Sequence, residues 1–89
     1  MDIKELTNFI AIAENGSISK AARELHISQP PLTKQLQRLE TELNVTLFER
    51  TSKGVTLTKK GRMFYRRALS LIAFSESIFS ELNSKSEST

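Results

Sequence analysis

Residues 28–40 read Ser28-Gln29-Pro30-Pro31-Leu32-Thr33-Lys34-Gln35-Leu36-Gln37-Arg38-Leu39-Glu40, and the rest of the chain arranges itself about them. Leu32, Leu36, Leu39 and, just beyond, Leu43 step by four, three and four, which puts them on one stripe of an α-helix. Pro30, Lys34, Gln37, Arg38 and Thr41 fall opposite, with Thr33 at the edge. A helix that buries leucines normally shows water charges of both signs. Until Glu40 this one shows only cations, amides, a hydroxyl and prolines. Ser28 is suited to the N-cap, and prolines at the second and third helical positions cost little because first-turn N–H groups have no partner within the helix. The product is a stiff, uncharged-to-basic tip whose dipole favours anions. Such a tip suits end-on entry into a major groove. The same residues also fit an ordinary solvent-facing amphipathic helix, so the flanking sequence must discriminate.

Eighty-nine residues suffice for one small domain with a core. The chain has no cysteine, which removes disulfides, thiolate metal sites and thiol nucleophiles from consideration, and a cytoplasmic protein is the expectation. The start, Met1-Asp2-Ile3-Lys4-Glu5, carries no apolar run of signal-peptide length. The most apolar region, 63–82, is interrupted by Arg66, Arg67, Glu76 and Glu81 and is not expected to span a membrane. The net charge of +3 is unevenly spread: residues 1–16 give −2, 17–39 give +3, 40–49 give −3, 50–67 give +7 and 68–89 give −2. Two basic blocks set between acidic ones suggest a single polyanion-binding face.

Asp2 and Glu5 have the form of a capping box. Ile3, Leu6, Phe9, Ile10 and Ala13 follow at helical spacing, and Asn15-Gly16 ends that helix. A second helix from about Ser17 carries Ile18, Ala21, Ala22 and Leu25 on one side, and its alanines admit a neighbouring helix closely. His26-Ile27-Ser28 then connects to the helix already described, of about 29–43, with the spacing of a helix-turn-helix. Beyond Asn44, Val45–Arg50 and Val55–Thr58 alternate in polarity around Thr51-Ser52-Lys53-Gly54, which predicts a two-stranded hairpin with Lys53 at its tip. Thr58 should cap a long helix reaching about Asn83, followed by a polar, frayed tail, Ser84–Thr89.

The chain resembles the DNA-binding domain of LysR-type transcriptional regulators from Ile3 to about Leu82. The residues that carry the resemblance are Leu6-x-x-Phe9 with Ala11-x-Ala13-Glu14; Gly16-Ser17-Ile18-Ser19-Lys20-Ala21-Ala22-x-x-Leu25; Ile27-Ser28-Gln29-Pro30-Pro31-Leu32; Leu39-Glu40-x-Glu42-Leu43; Leu47-Phe48-Glu49-Arg50; and Leu57-Thr58-x-x-Gly61. Asn44 stands where the family usually has glycine, and Lys59-Lys60 where an acidic residue or proline and a small residue are commoner. The resemblance implies a mainly α winged helix-turn-helix, residues 1–58, followed by a linker and dimerisation helix with its tail, 59–89. The effector-binding domain would lie outside this chain. It also implies a homodimer through the linker helix (tetrameric at full length) on double-stranded DNA with an interrupted dyad. The protein would be nucleoid-associated when bound, would use no cofactor and would be no enzyme.

By the same resemblance Gln29, Pro30, Thr33 and Lys34 read bases, and their chemistry agrees. Gln29 can pair with adenine, Pro30 can meet a thymine methyl, Thr33 can do either, and Lys34 can donate to guanine or to phosphate. Ser17, Ser19, Lys20, Ser28, Arg38, Arg50, Thr51 and Lys53 are placed for the backbone, the wing of about 50–55 meeting phosphates or the minor groove. Arg50 could instead pair with Glu49 or Glu42. His26, without a partner histidine or cysteine, predicts no metal site. Phe64, Ala68, Leu71, Ser75, Ile78 and Leu82 form the stripe of the long helix. Its inner end can cover the domain, whereas Leu71, Ile72, Ile78, Phe79 and Leu82 are expected at a dimer contact. A helical module that docks an acidic protein partner is the alternative, and indifference to duplex DNA would reveal it.

Overall fold

A computed structural model describes residues 1–83; the tail expected to fray, Ser84–Thr89, lies outside the described residues. The order is α1 (Ile3–Asn15), α2 (Ile18–Leu25), α3 (Gln29–Leu43), β1 (Phe48–Thr51), β2 (Gly54–Leu57) and α4 (Lys59–Asn83). The expected capping box closes on α1. Asp2 accepts the Glu5 N–H at 2.8 Å, and Glu5 accepts the Asp2 N–H at 3.2 Å. Gly16 then turns left-handed at φ 64°, and Ser17 caps α2 by accepting the Lys20 N–H at 3.2 Å.

Phe9, Ile12, Leu32, Leu39 and Leu47 are the large side chains buried most completely, and each contributes about 1.5–3 kcal/mol by leaving water. Phe9 sits at the centre. Its ring lies 5.3 Å from that of Phe48 on β1 and 4.9 Å, edge-on, from that of Phe64 on α4, so three elements meet on one aromatic group. The one buried polar side chain among the described residues, Asn8, donates to Gln35 at 2.6 Å and ties α1 to α3.

The hairpin is antiparallel, pairing Phe48 with Leu57 and Thr51 with Gly54 around a Ser52-Lys53 tip. Its first strand starts three residues later than the alternation from Val45 predicts. Asn44 adopts a left-handed conformation (φ 56°), and the Val45 N–H returns to the Glu40 carbonyl at 3.1 Å. The Glu40 carboxylate then takes the N–H groups of Leu47 at 2.6 Å and Phe48 at 3.2 Å, which holds 45–47 as a connector. A helix side chain has claimed the donors that a longer ladder would have used.

Two glycines permit backbone to approach backbone. The Val55 N–H donates to the Gly16 carbonyl at 3.0 Å, and any Cβ on Gly54 (φ 138°) would collide with that same oxygen. A Cβ on Gly61 would strike the Leu47 carbonyl oxygen. The expected Thr58 cap is present: its hydroxyl accepts the Gly61 N–H at 2.9 Å and donates to the Thr46 carbonyl at 2.6 Å. From there α4 runs about 37 Å, at 1.5 Å per residue, past the core and out of it.

Candidate nucleic-acid interface

The first turns of α3 stand clear of the core. Gln29, Pro30, Lys34 and Arg38 are exposed, while Thr33 is half-buried beside the leucine stripe. Ser28 takes the N-cap position but makes no side-chain cap bond, contrary to the capping expected of it. The physical reason lies two and three residues on. A cap oxygen accepts from the second or third helical N–H, and Pro30 and Pro31 have none. The Ser28 hydroxyl is therefore left for an acceptor or donor outside the helix. Of the first three helical positions only Gln29 keeps an N–H, so the tip presents its dipole and its side chains rather than a row of amides.

Gln29 shares one polar cleft with Ser17, Ser19, Arg50, Thr51 and Ser52, drawn from the start of α2, the start of α3 and the wing. The Gly16–Val55 hydrogen bond is what holds the wing against the α1–α2 turn and closes this arrangement. Ser17 and Ser19 place their hydroxyls 3.1 Å apart at the head of α2, and Lys20 is exposed beside them. Thr51 is committed to the wing itself, donating to the Gly54 carbonyl at 3.3 Å and accepting the Lys53 N–H at 3.2 Å. It thereby sets the tip from which Lys53 projects. Arg38 lies one turn beyond Lys34 on α3, outside the cleft.

Arg50 makes no ion pair with Glu49 or Glu42. Among the described residues the ion pairs involve only the Met1 amino group, 3.1 Å from Glu42 and 3.7 Å from Glu5. Glu49 is its strand neighbour and projects from the opposite face, and Glu42 lies at the far end of α3. The Glu42 hydrogen bond raises the Met1 amino group above its ordinary value of 8.0. Lys20, Lys34, Arg38, Arg50 and Lys53 thus all face outward uncompensated within 1–83.

Sequence reading missed Ser52 in the cleft and the tether from Glu40, whose only signal was an acid bordering the leucine stripe. It also left out Phe74, 63% exposed on α4, although Leu71, Phe74 and Ile78 repeat at three and four. Leu71, Ile78, Phe79 and Leu82 are exposed as expected of an unpartnered surface. Ile72 is the exception: it lies one turn beyond Ala68 on the same face and packs partly against the core. Leu43, Val45, Leu47, Met63 and Phe64 form an apolar groove rimmed by Lys60 and Arg67. At 100° per residue, Met63, Leu71, Phe74 and Ile78 share one side of α4, so the groove and the exposed stripe are continuous.

Residues 3–62 match the family described as "Bacterial regulatory helix-turn-helix protein, lysR family". The chain belongs to that family. It is 53% identical over 76 residues to the HTH-type transcriptional regulator ClcR of Pseudomonas putida, a match covering 85% of this chain and 26% of that protein. Among solved structures, the BenM DNA-binding domain in complex with catB site 1 DNA superposes with a TM-score of 0.91 at 38% identity, covering 98% of each chain. The CbnR DNA-binding domain in its DNA complex gives 0.90 at 37%, covering 98% of this chain and all of that one. The four helices and antiparallel hairpin are thus the winged helix-turn-helix of the lysR family. The match spans about a quarter to a third of the length of most of the curated relatives and about half of one, the BudR regulator of Klebsiella aerogenes. Within 1–83 no helix is long and apolar enough to cross a membrane, and no group of three or more His, Asp or Glu side chains is placed to hold a metal ion.

Proposed function

We propose that this chain is the duplex-reading part of a bacterial lysR-family transcription regulator. The N-terminal turns of α3 enter the major groove, and the wing lies on phosphates or the adjacent minor groove. The cleft carries this reading: it gathers Ser17, Ser19, Gln29 and Arg50 beside the free tip of α3, and among the described residues no acid pairs with the cations around it. The likeness to the BenM and CbnR DNA-binding domains, each solved in complex with DNA, supports it. Gln29, Pro30, Thr33 and Lys34 read base edges. Ser17, Ser19, Lys20, Ser28, Arg38, Arg50, Thr51 and Lys53 hold backbone, with Thr51 acting largely by setting Lys53. The division of labour is residues 1–58 for reading and 59–89 for linking and pairing. A small-molecule effector would act through a further domain outside this chain, in a cytoplasmic regulator with no catalytic step.

Pairing is between two copies of α4, antiparallel. Lys59, Lys60, Arg62, Arg66 and Arg67 crowd its first third, whereas Glu76 and Glu81 are the charges of the remainder through Asn83. A parallel pair would stack cations on cations; an antiparallel one sets each basic end against an acidic end. Phe74, Ile78 and Leu82 of one copy then extend toward the apolar groove of the other. A C₂ pair of this kind sets two α3 tips on one DNA face, about one helical turn (~34 Å) or a multiple apart.

Selection of bound duplexes from a random pool tests the reading, and an interrupted dyad is the expected product. On that operator Gln29→Ala or Thr33→Ala should cost about 1–3 kcal/mol and relax preference at particular base pairs. Lys53→Ala should weaken all sequences alike and reduce the salt slope by about 1. Unchanged affinity and base preference in both α3 variants would overturn the assignment.

A further inference from the structure

The last turn of α1 is a junction. Over three consecutive residues, Glu14 accepts the Tyr65 hydroxyl of α4 at 2.9 Å, Asn15 donates to Glu24 of α2 at 3.4 Å, and the Gly16 carbonyl accepts the Val55 N–H of the wing at 3.0 Å. Two of the three elements that build the polar cleft, α2 and the wing, and the helix that leaves the domain are therefore referred to one short segment. Other attachments along α4 are the Gly61 approach to Leu47, the Arg62 guanidinium donating to the Leu57 carbonyl at 3.3 Å, the ring of Phe64 on Phe9, buried Ala68 and half-covered Ile72. Phe64 and Tyr65, adjacent in sequence, project about 100° apart around the helix, so Tyr65 braces α4 sideways where Phe64 anchors it inward. The hydrogen bond to Glu14 raises the Tyr65 phenol above its ordinary value of 10.0, so the donor form persists further into alkaline pH.

We propose that Glu14 and Tyr65 are positioning residues that set the departure angle of α4 and, through it, the half-site separation the dimer accepts. This rests on the duplex-reading, α4-paired dimer proposed above. The helix lies on the domain as far as Ile72, and about 17 Å of it follows to Asn83 at 1.5 Å per residue. A change of ~10° in departure angle moves the far end by ~3 Å, close to the ~3.4 Å rise of one base pair. A brace of modest strength at the root of such a lever therefore controls register on DNA without touching a base or a phosphate.

The test uses the 89-residue chain on the selected operator and on versions with the half-site spacing changed by one base pair either way. A single half-site duplex and thermal unfolding serve as controls. Wild type should prefer one spacing. Tyr65→Phe and Glu14→Ala should each flatten that preference about fivefold or more while half-site affinity stays unchanged. Glu14→Gln, which keeps an acceptor, should retain the preference. A purely structural contact would lower the unfolding temperature and leave the spacing profile alone. The proposal is overturned if both disrupting variants keep the wild-type profile, or if wild type binds half-sites but ranks no spacing above its neighbours. A wild type that binds no duplex at all overturns the duplex-reading assignment instead, and this proposal with it.

Discussion

The two ends of α4 have similar apolar periodicity and opposite fates. From Lys59 to Ile72 the helix lies on the domain, with Gly61 and Ala68 buried and Phe64, Tyr65 and Ile72 half-covered. From Ala73 to Asn83 every residue is exposed, including Phe74 at 63%, Phe79 at 70% and Leu82 at 79%. Intrinsic helix preference does not separate them, since both ends are helical. Neighbours do. The inner end meets the ring of Phe9 and the Leu47 carbonyl, whereas the outer end leads past the last residue of its own core. An amphipathic stripe thus shows that a helix needs a partner, and only the length of the core beside it shows whether that partner is the same chain.

The largest effect should come from breaking the outer end. Leu71→Asp with Ile78→Asp changes two positions in both copies of a pair, and should weaken association by about 4 kcal/mol or more, roughly a thousandfold. Sedimentation should then show a monomer at concentrations where wild type is dimeric, with half-site binding nearly unchanged. A wild-type monomer at tens of micromolar, about the range in which such association should be complete, would refute the pairing. The inner end should respond in the opposite sense. Gly61→Ala forces a methyl group against the Leu47 carbonyl and should cost about 3 kcal/mol of stability, measured by urea unfolding. The sharpest contrast uses the same chemical change at two sites within the Leu71→Asp, Ile78→Asp background. Phe64→Ala should lose about 2–3 kcal/mol by opening the aromatic cluster, while Phe79→Ala should stay within ~0.5 kcal/mol. Equal losses at the two phenylalanines would erase the distinction between inner and outer helix.

What could be read from sequence follows the same division between local and distant causes. The capping box of Asp2 and Glu5, the glycine after Asn15, the leucine stripe of α3 and the Thr58 cap are short-range signals, and each produced the element expected. The start of β1 was displaced because the Glu40 carboxylate, seven residues upstream, captures the Leu47 N–H. The hydroxyl of Ser28 is uncapped because a favourable N-cap residue precedes two prolines, a conflict visible in the sequence once the donors are counted. Gathering Ser17, Gln29 and Arg50 in one cleft depends on the Gly16–Val55 bond, for which residue types alone gave no signal. Ile72 illustrates the limit of periodicity. Its place in the pattern suits either end of α4, and one turn of core beyond Ala68 decides it.

The bare first turn of α3 bears on how such a reader changes over generations. Because Pro30 and Pro31 start the helix without capping bonds and the leucines below anchor it, Gln29 and Lys34 carry almost no responsibility for folding. On the proposed reading, exchanging them should alter what the tip recognises while leaving unfolding stability within ~0.5 kcal/mol, as expected for exposed positions outside the core. Binding preference and foldability would then fall to different residues of one helix. New operators could be sampled through single substitutions that the rest of the domain does not register.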